Sequence, residues 1–217
     1  MSPTLRSDQL TWLADSLPTS NFPEVTEKIL GDFFEQLENF RDDLQQLEER
    51  DFERILPRSR ETPTHYKWHM LTAPDRSFTV WLHEYKPAAS RSAGYAQTIH
   101  NHRYPMSALV LAGGYQCTKY AVEKGHGDDQ ARIQVITEWQ LAGGSVYSMR
   151  ENEFHSVTRI EDGTMSLLVQ GRPSRPYSVS VDARSRRASC HVPIEGRLDH
   201  LRSCLTTAHR RVHHAES

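Results

Sequence analysis

Two imidazoles separated by a single residue, in Thr98-Ile99-His100-Asn101-His102, are the residues whose types and spacing most directly invite chemistry. Side chains of a strand alternate between its faces, so His100 and His102 would project together while Asn101 points away. Such a pair can hold a metal ion. A chain with 12 histidines also meets this spacing by chance, so a second feature is needed. Downstream, Gly143-Gly144-Ser145-Val146-Tyr147 reads as a turn into a strand, and His155 opens a further β-rich run, His155-Ser156-Val157-Thr158-Arg159-Ile160.

The spacing of these residues resembles the two-part signature of the cupin family. Its first part is a Gly, five residues, His-x-His, three or four residues, a Glu, six residues and a Gly; its second is a Gly, five residues, Pro-x-Gly, two residues, a His, three residues and an Asn. Gly94, His100, His102 and Gly114 fall at the spacing of the first part, and Gly144 and His155 at that of the second. Ser107 stands in the Glu slot, while Arg150, Asn152 and Arg159 occupy the Pro, Gly and Asn slots. The resemblance implies a mainly β fold, a cupin-type β-barrel (double-stranded β-helix or jelly roll), with His100, His102 and His155 as metal ligands and no Glu ligand. Three neutral imidazoles suit Fe, Zn, Cu or Ni and do not choose among them.

Among cupins the chain is most similar to the cysteine dioxygenase group of thiol dioxygenases, over approximately Tyr66 to Arg175. That group also carries helices before its barrel and holds iron(II) with three His, with dioxygen as co-substrate. Tyr66-Lys67-Trp68-His69-Met70-Leu71 resembles the stretch that holds a Tyr and a carboxylate-binding Arg; Tyr66 is kept and Trp68 takes the Arg position. Phe78 to Tyr85 resembles the next pocket strand, which would turn His83 and Tyr85 to the site. Ser107 falls where some members place the Cys of a Cys-Tyr crosslink. Ser166-Leu167-Leu168-Val169-Gln170 resembles a Ser-x-His-x-Tyr triad with Leu168 and Gln170 in place of the His and Tyr. The expected carboxylate clamp and proton relay are therefore both missing.

Three neutral ligands would leave the ion its full charge and about three open positions, enough for a bidentate small molecule and dioxygen. An anionic donor would be favoured in a low-dielectric cavity. Around the ion, Tyr66 or Tyr104 could donate a hydrogen bond, Gln170 could orient a polar group, and Trp68 could stack on a substrate. His83, Tyr85 and Ser107 complete the expected substrate-binding set. By strand parity, Lys67 and His69 should face away.

The positioning elements follow from periodicity. Ser7 could cap a short helix carrying Leu10, Leu13 and Leu17, stopped by Pro18. Pro23 opens a longer helix whose stripe is Leu30, Phe33, Leu37, Phe40, Leu44 and Leu47, to be covered by the outside of the barrel. From Thr64 the pattern changes to about ten short β-rich runs: Thr64 to Thr72, Ser77 to Tyr85, Tyr95 to His100, Ser107 to Leu111, Tyr115 to Val122, Arg132 to Leu141, Ser145 to Met149, Phe154 to Ile160, Met165 to Gln170 and Tyr177 to Val181. Gly113-Gly114 and Gly143-Gly144 look like strand-joining turns. Lys124 to Asp129 reads as a polar loop tip carrying His126. After Pro193, Leu198, Leu201, Leu205 and Ala208 predict a final helix. The organisation expected is residues 1–56 helical extension, 57–193 barrel, and 194–217 helix and tail.

With 217 residues, 37% of them hydrophobic, one core is the expectation. A net charge of −2 asks for neither nucleic acid nor an acidic membrane. Cys117, Cys190 and Cys204 show no Cys-x-x-Cys spacing, which fits a reducing compartment. No apolar h-region or membrane-length run is found, so the cytoplasm is expected. Three functions compete: an iron(II) dioxygenase acting on a small polar metabolite such as a thiol or amino-acid derivative; a Zn- or Ni-dependent isomerase, lyase or hydrolytic enzyme; and a non-catalytic ligand-binding cupin. The partner expected in each case is a small molecule, and the oligomeric state is left open.

Overall fold

A computed structural model describes residues 7–17, 24–92, 94–123 and 130–193. The expected C-terminal helix, and the loop tip with His126, lie outside the described residues. Helices α1 (Asp8–Ser16), α2 (Glu24–Phe34), α3 (Leu37–Gln45) and α4 (Glu49–Ile55) precede the strands. These are β1 (Arg60–Glu61), β2 (His65–Thr72), β3 (Phe78–Tyr85), β4 (Ile99–His100), β5 (Met106–Ala112), β6 (Gly114–Glu123), β7 (Arg132–Ala142), β8 (Val146–Met149), β9 (Phe154–Thr158), β10 (Met165–Gly171), β11 (Ser178–Val181) and β12 (Ala188–His191).

The fold is mainly β, with two antiparallel six-stranded sheets. One sheet runs β1-β2-β3-β10-β5-β8 and the other β12-β11-β4-β9-β6-β7. The two Gly-Gly turns do join strands, but strands of opposite sheets, β5 to β6 and β7 to β8. They are corners rather than hairpins. Gly113 and Gly144 hold positive φ there (63° and 86°), a conformation that costs a side-chain-bearing residue more than glycine.

The helices cover the outer face of the first sheet. Leu10, Leu13, Leu30, Phe33 and Phe40 are buried in one cluster with Val80, Leu82, Leu109, Leu167 and Val169. Full burial of each such side chain stabilises by roughly 1.5–3 kcal/mol. At the start of α1, Ser7 Oγ accepts the Leu10 N–H at 3.1 Å and donates to Asp43 Oδ2 at 2.6 Å, tying α1 to α3. The single long helix expected after Pro23 is broken. Gln36 leaves helical geometry (φ −109°, ψ 17°) and its N–H goes to Phe33 O at 3.0 Å, a tighter turn. The break brings Phe33 and Phe40 edge to face, 5.1 Å between centroids. The strand expected over Tyr95 to His100 is also shorter: Tyr95–Gln97 is a 3₁₀ turn, and only Ile99–His100 pairs. No described helix is long and apolar enough to cross a membrane.

Candidate metal centre and cavity

Strand register assembles the histidines. His100 on β4 lies directly opposite His155 on β9, and residues opposed in an antiparallel pair point to the same face. His102 lies just past the end of β4. Asn101 between them turns away: its N–H goes to Val179 O at 3.0 Å, and its Oδ1 accepts the Val179 N–H at 2.7 Å. This clamp to β11 fixes the His-x-His segment where the strand ends.

One nitrogen from each of His100, His102 and His155 lies within 4.8 Å of the others, an arrangement that could hold a metal ion. His102 Nε2 and His155 Nε2 are 2.9 Å apart. His100 Nδ1 lies 2.9 Å from Thr98 O, and since a carbonyl only accepts, Nδ1 carries the proton and Nε2 keeps its lone pair. His155 Nδ1 lies 3.6 Å from the buried Cys117 Sγ. Burial lowers His100 to about 4 and takes His102 and His155 well below the usual histidine value, with the neighbouring imidazoles adding to the effect. All three are neutral at pH 7, the form in which imidazole binds metals. Neutral nitrogens facing one another within a buried space fit a metal better than three unliganded core residues.

The trio opens into a cavity of about 370 Å³ between the sheets. Its walls include His65 and Lys67 of β2, His83 and Tyr85 of β3, Met106 and Ala108 of β5, Tyr115 of β6, Tyr147 of β8, Val157 of β9, and Ser166 and Leu168 of β10. Tyr95 and Tyr104 close the side next to the histidines, Tyr104 with its ring 5.3 Å from that of His102. Burial raises the Tyr104 phenol to about 12, so it stays a hydrogen-bond donor. Glu61 is the carboxylate among the described lining residues, and it accepts Lys86 Nζ at 2.6 Å.

The structure sorts the residues expected at the site. His83, Tyr85 and Tyr104 line the cavity with the three histidines. Tyr66 and Trp68 do not. Tyr66 is 37% exposed beneath Lys86, and Trp68 packs against the helical cluster while its indole N–H donates to Glu84 Oε2 at 3.0 Å. The parity assigned to β2 is therefore inverted, with Lys67 pointing inward beside His83, its partner in register. His69 also points inward, its ring 5.1 Å from Trp81. The cause is that both faces of the sheet are covered, by helices outside and cavity inside, so an apolar Trp is at home on either.

Ser107 faces away from the cavity, its Oγ 2.7 Å from Ser148 Oγ, while its neighbours Met106 and Ala108 line the wall. The signature allows three or four residues before the Glu, and the shorter spacing, ending on Met106, is the one whose side chain reaches the interior. Gln170 lines an adjoining depression with Lys67, Trp81, His102, Arg103 and Tyr104. Sequence reasoning missed Lys67, His65, Tyr95, Tyr115 and Tyr147. The Tyr66-Lys67-Trp68-His69 alternation carried a signal for the first two, since His65 and Lys67 share a phase.

No family model matches the chain, and no curated protein matches it. Solved structures similar to it include a tryptophan-to-tyrosine variant of oxalate decarboxylase from Bacillus subtilis, 19% identical over 54% of this chain and 27% of that one, TM-score 0.36. A deletion variant of the same Bacillus subtilis enzyme is 18% identical over 55% of this chain and 28% of that one, TM-score 0.37. The chain thus spans about a quarter of the length of those structures.

Proposed function

We propose that the protein is a non-heme iron(II) dioxygenase of the three-histidine type, acting on a small polar metabolite, a thiol or amino-acid derivative. The observation that carries this reading is the largely buried, neutral His100–His102–His155 group opening on a cavity without a free carboxylate among its described lining residues. Those three side chains would hold the ion; bound iron(II) would supply a Lewis acid able to change oxidation state, with coordination positions left for substrate and dioxygen.

The chain's own residues then have definite tasks. Lys67, the cation among the described lining residues, draws an anionic substrate to the side of His102. Tyr104, protonated and with its ring tilted beside that of His102, donates a hydrogen bond to what lies there. The tyrosine-rich wall is less polar than water, which strengthens each polar contact made against it. In the same wall, Tyr115 O–H donates to Tyr147 at 3.3 Å, an oxygen pair able to offer a further hydrogen bond to a ligand.

The test is dioxygen uptake by protein loaded with iron(II) under anaerobic conditions, then exposed to oxygen with a panel of thiols and amino-acid derivatives. Uptake that depends on one of these supports the reading. Turnover that persists without oxygen favours zinc or nickel Lewis-acid chemistry instead. Ligand affinity unchanged by His155→Ala, with no turnover, leaves a binding protein.

A further inference from the structure

We propose that the molecule held in this cavity is an aromatic carboxylate, with its ring among Tyr85, Tyr115 and Tyr147 and its anion on Lys67. The inference takes the site from the reading above and adds its ligand class, without depending on the reaction. Three features of the cavity carry it.

The first is size. About 370 Å³ lies within the roughly 300–1,000 Å³ of sites that enclose a ligand of ring size or larger. An aliphatic amino acid would leave much of the wall untouched, and unfilled wall loses its dispersion contacts. The second is wall chemistry. Tyr85 and Tyr115 meet at 5.7 Å with their planes 49° apart, and Tyr115 and Tyr147 at 6.4 Å and 80°. Rings at such angles offer both faces and edges, the two surfaces an inserted aromatic ring prefers. Burial raises the phenols of all three, so this wall carries no charge.

The third feature is a single uncompensated cation. Among the described residues Lys67 meets no carboxylate; its Nζ lies 4.2 Å over the Trp81 ring, and Glu61 is already taken by Lys86. Burial and nearby Arg60 lower Lys67 to about 8, still mostly charged at pH 7. A ligand carboxylate would offset that unpaired charge, whereas a neutral or cationic head group would not. A wall of uncharged rings together with one positive charge describes an aromatic monoacid.

The test measures binding of 3-phenylpropionate, 3-phenylpropionamide and propionate to the full-length chain by calorimetry, as isolated and after chelation. The acid should bind at least tenfold more tightly than its amide and than propionate. Lys67→Met should reduce affinity for the acid tenfold or more and leave the amide within twofold. Binding of propionate as tight as the aromatic acid overturns the ring assignment, and an acid-to-amide ratio near one in wild type overturns the anion assignment, with no variant needed. A ratio unchanged in Lys67→Met overturns it too. In His155→Ala the preference for the acid should persist, and its loss there would assign the carboxylate to the histidine centre. Because binding is read without turnover, a negative oxygen-uptake result leaves this test intact, and the reverse also holds.

Discussion

Acidification of the metal-free protein should unfold it in a window set by buried histidines. Burial, helped by Lys67 and Lys86, lowers His65 to about 4; burial, helped by Arg58 and Lys67, lowers His69 to about 4. Both start from 6.5, so between pH 6.5 and 4 the unfolded chain binds more protons and stability rises with pH. Their contribution is fully present above about 6.5 and is lost as pH falls toward 4. From pH 7 to 5 the two groups together remove roughly 4 kcal/mol, an upper figure because the folded state relaxes around a new charge. That is a large part of the ~5–15 kcal/mol typical of a domain. His100, lowered to about 4, acts in the same direction. The assay is urea unfolding with chelator at half-unit steps of pH, read by far-UV circular dichroism. His69 has an unpaired, buried Nδ1, and His69→Gln should flatten the profile. A midpoint that stays level from pH 7 to 5 would refute the reasoning, since ordinary carboxylates take up most of their protons below pH 5 and would not mask it.

His155→Ala should lower metal content from about one ion per chain to near zero, since removing one of three ligands leaves two imidazoles; elemental analysis of untagged protein checks this. Gly113→Ala should destabilise by about 3 kcal/mol or more, because its Cβ would stand 2.5 Å from Thr164 Oγ1 and 2.8 Å from Thr164 Cα at positive φ. Gly163→Ala, also at positive φ but with nothing within 4 Å, should cost only about 1 kcal/mol in the same urea titration. Trp68→Phe should leave 3-phenylpropionate affinity within twofold, because the indole lies outside the cavity; a tenfold loss would restore Trp68 to the site.

What could be read from the chain, and what could not, follows one physical division. The histidine group was legible because spacing along the chain and strand alternation are local properties: His100 and His102 share a face, and Gly144 and His155 keep their interval. The broken helix was not, since Phe33 and Phe40 are seven residues apart and the stripe keeps its phase across the interruption at Gln36. The orientation of β2 was hidden for a different reason. A strand covered on one side announces its inner face by polarity, but β2 has helices outside and a cavity inside, and Trp68 and Lys67 are each satisfied in the less obvious place.

Only the pairing resolves it. Turning His83 and Tyr85 inward on β3 settles β2 once the register is known, because Lys67 opposes His83 and His65 opposes Tyr85. Tyr66 and Trp68 could share that face only if the two strands slipped by one residue. Such a slip would carry Lys67 toward the apolar helical cluster and strip the cavity of its charge, while swinging Trp68 off the packing that now covers it. The same one-residue logic separates Met106 from Ser107 on β5. The chemistry of this cavity is thus decided by inter-strand register at β2–β3 and β5, a property of the assembled sheet to which a reading of each strand alone has no access.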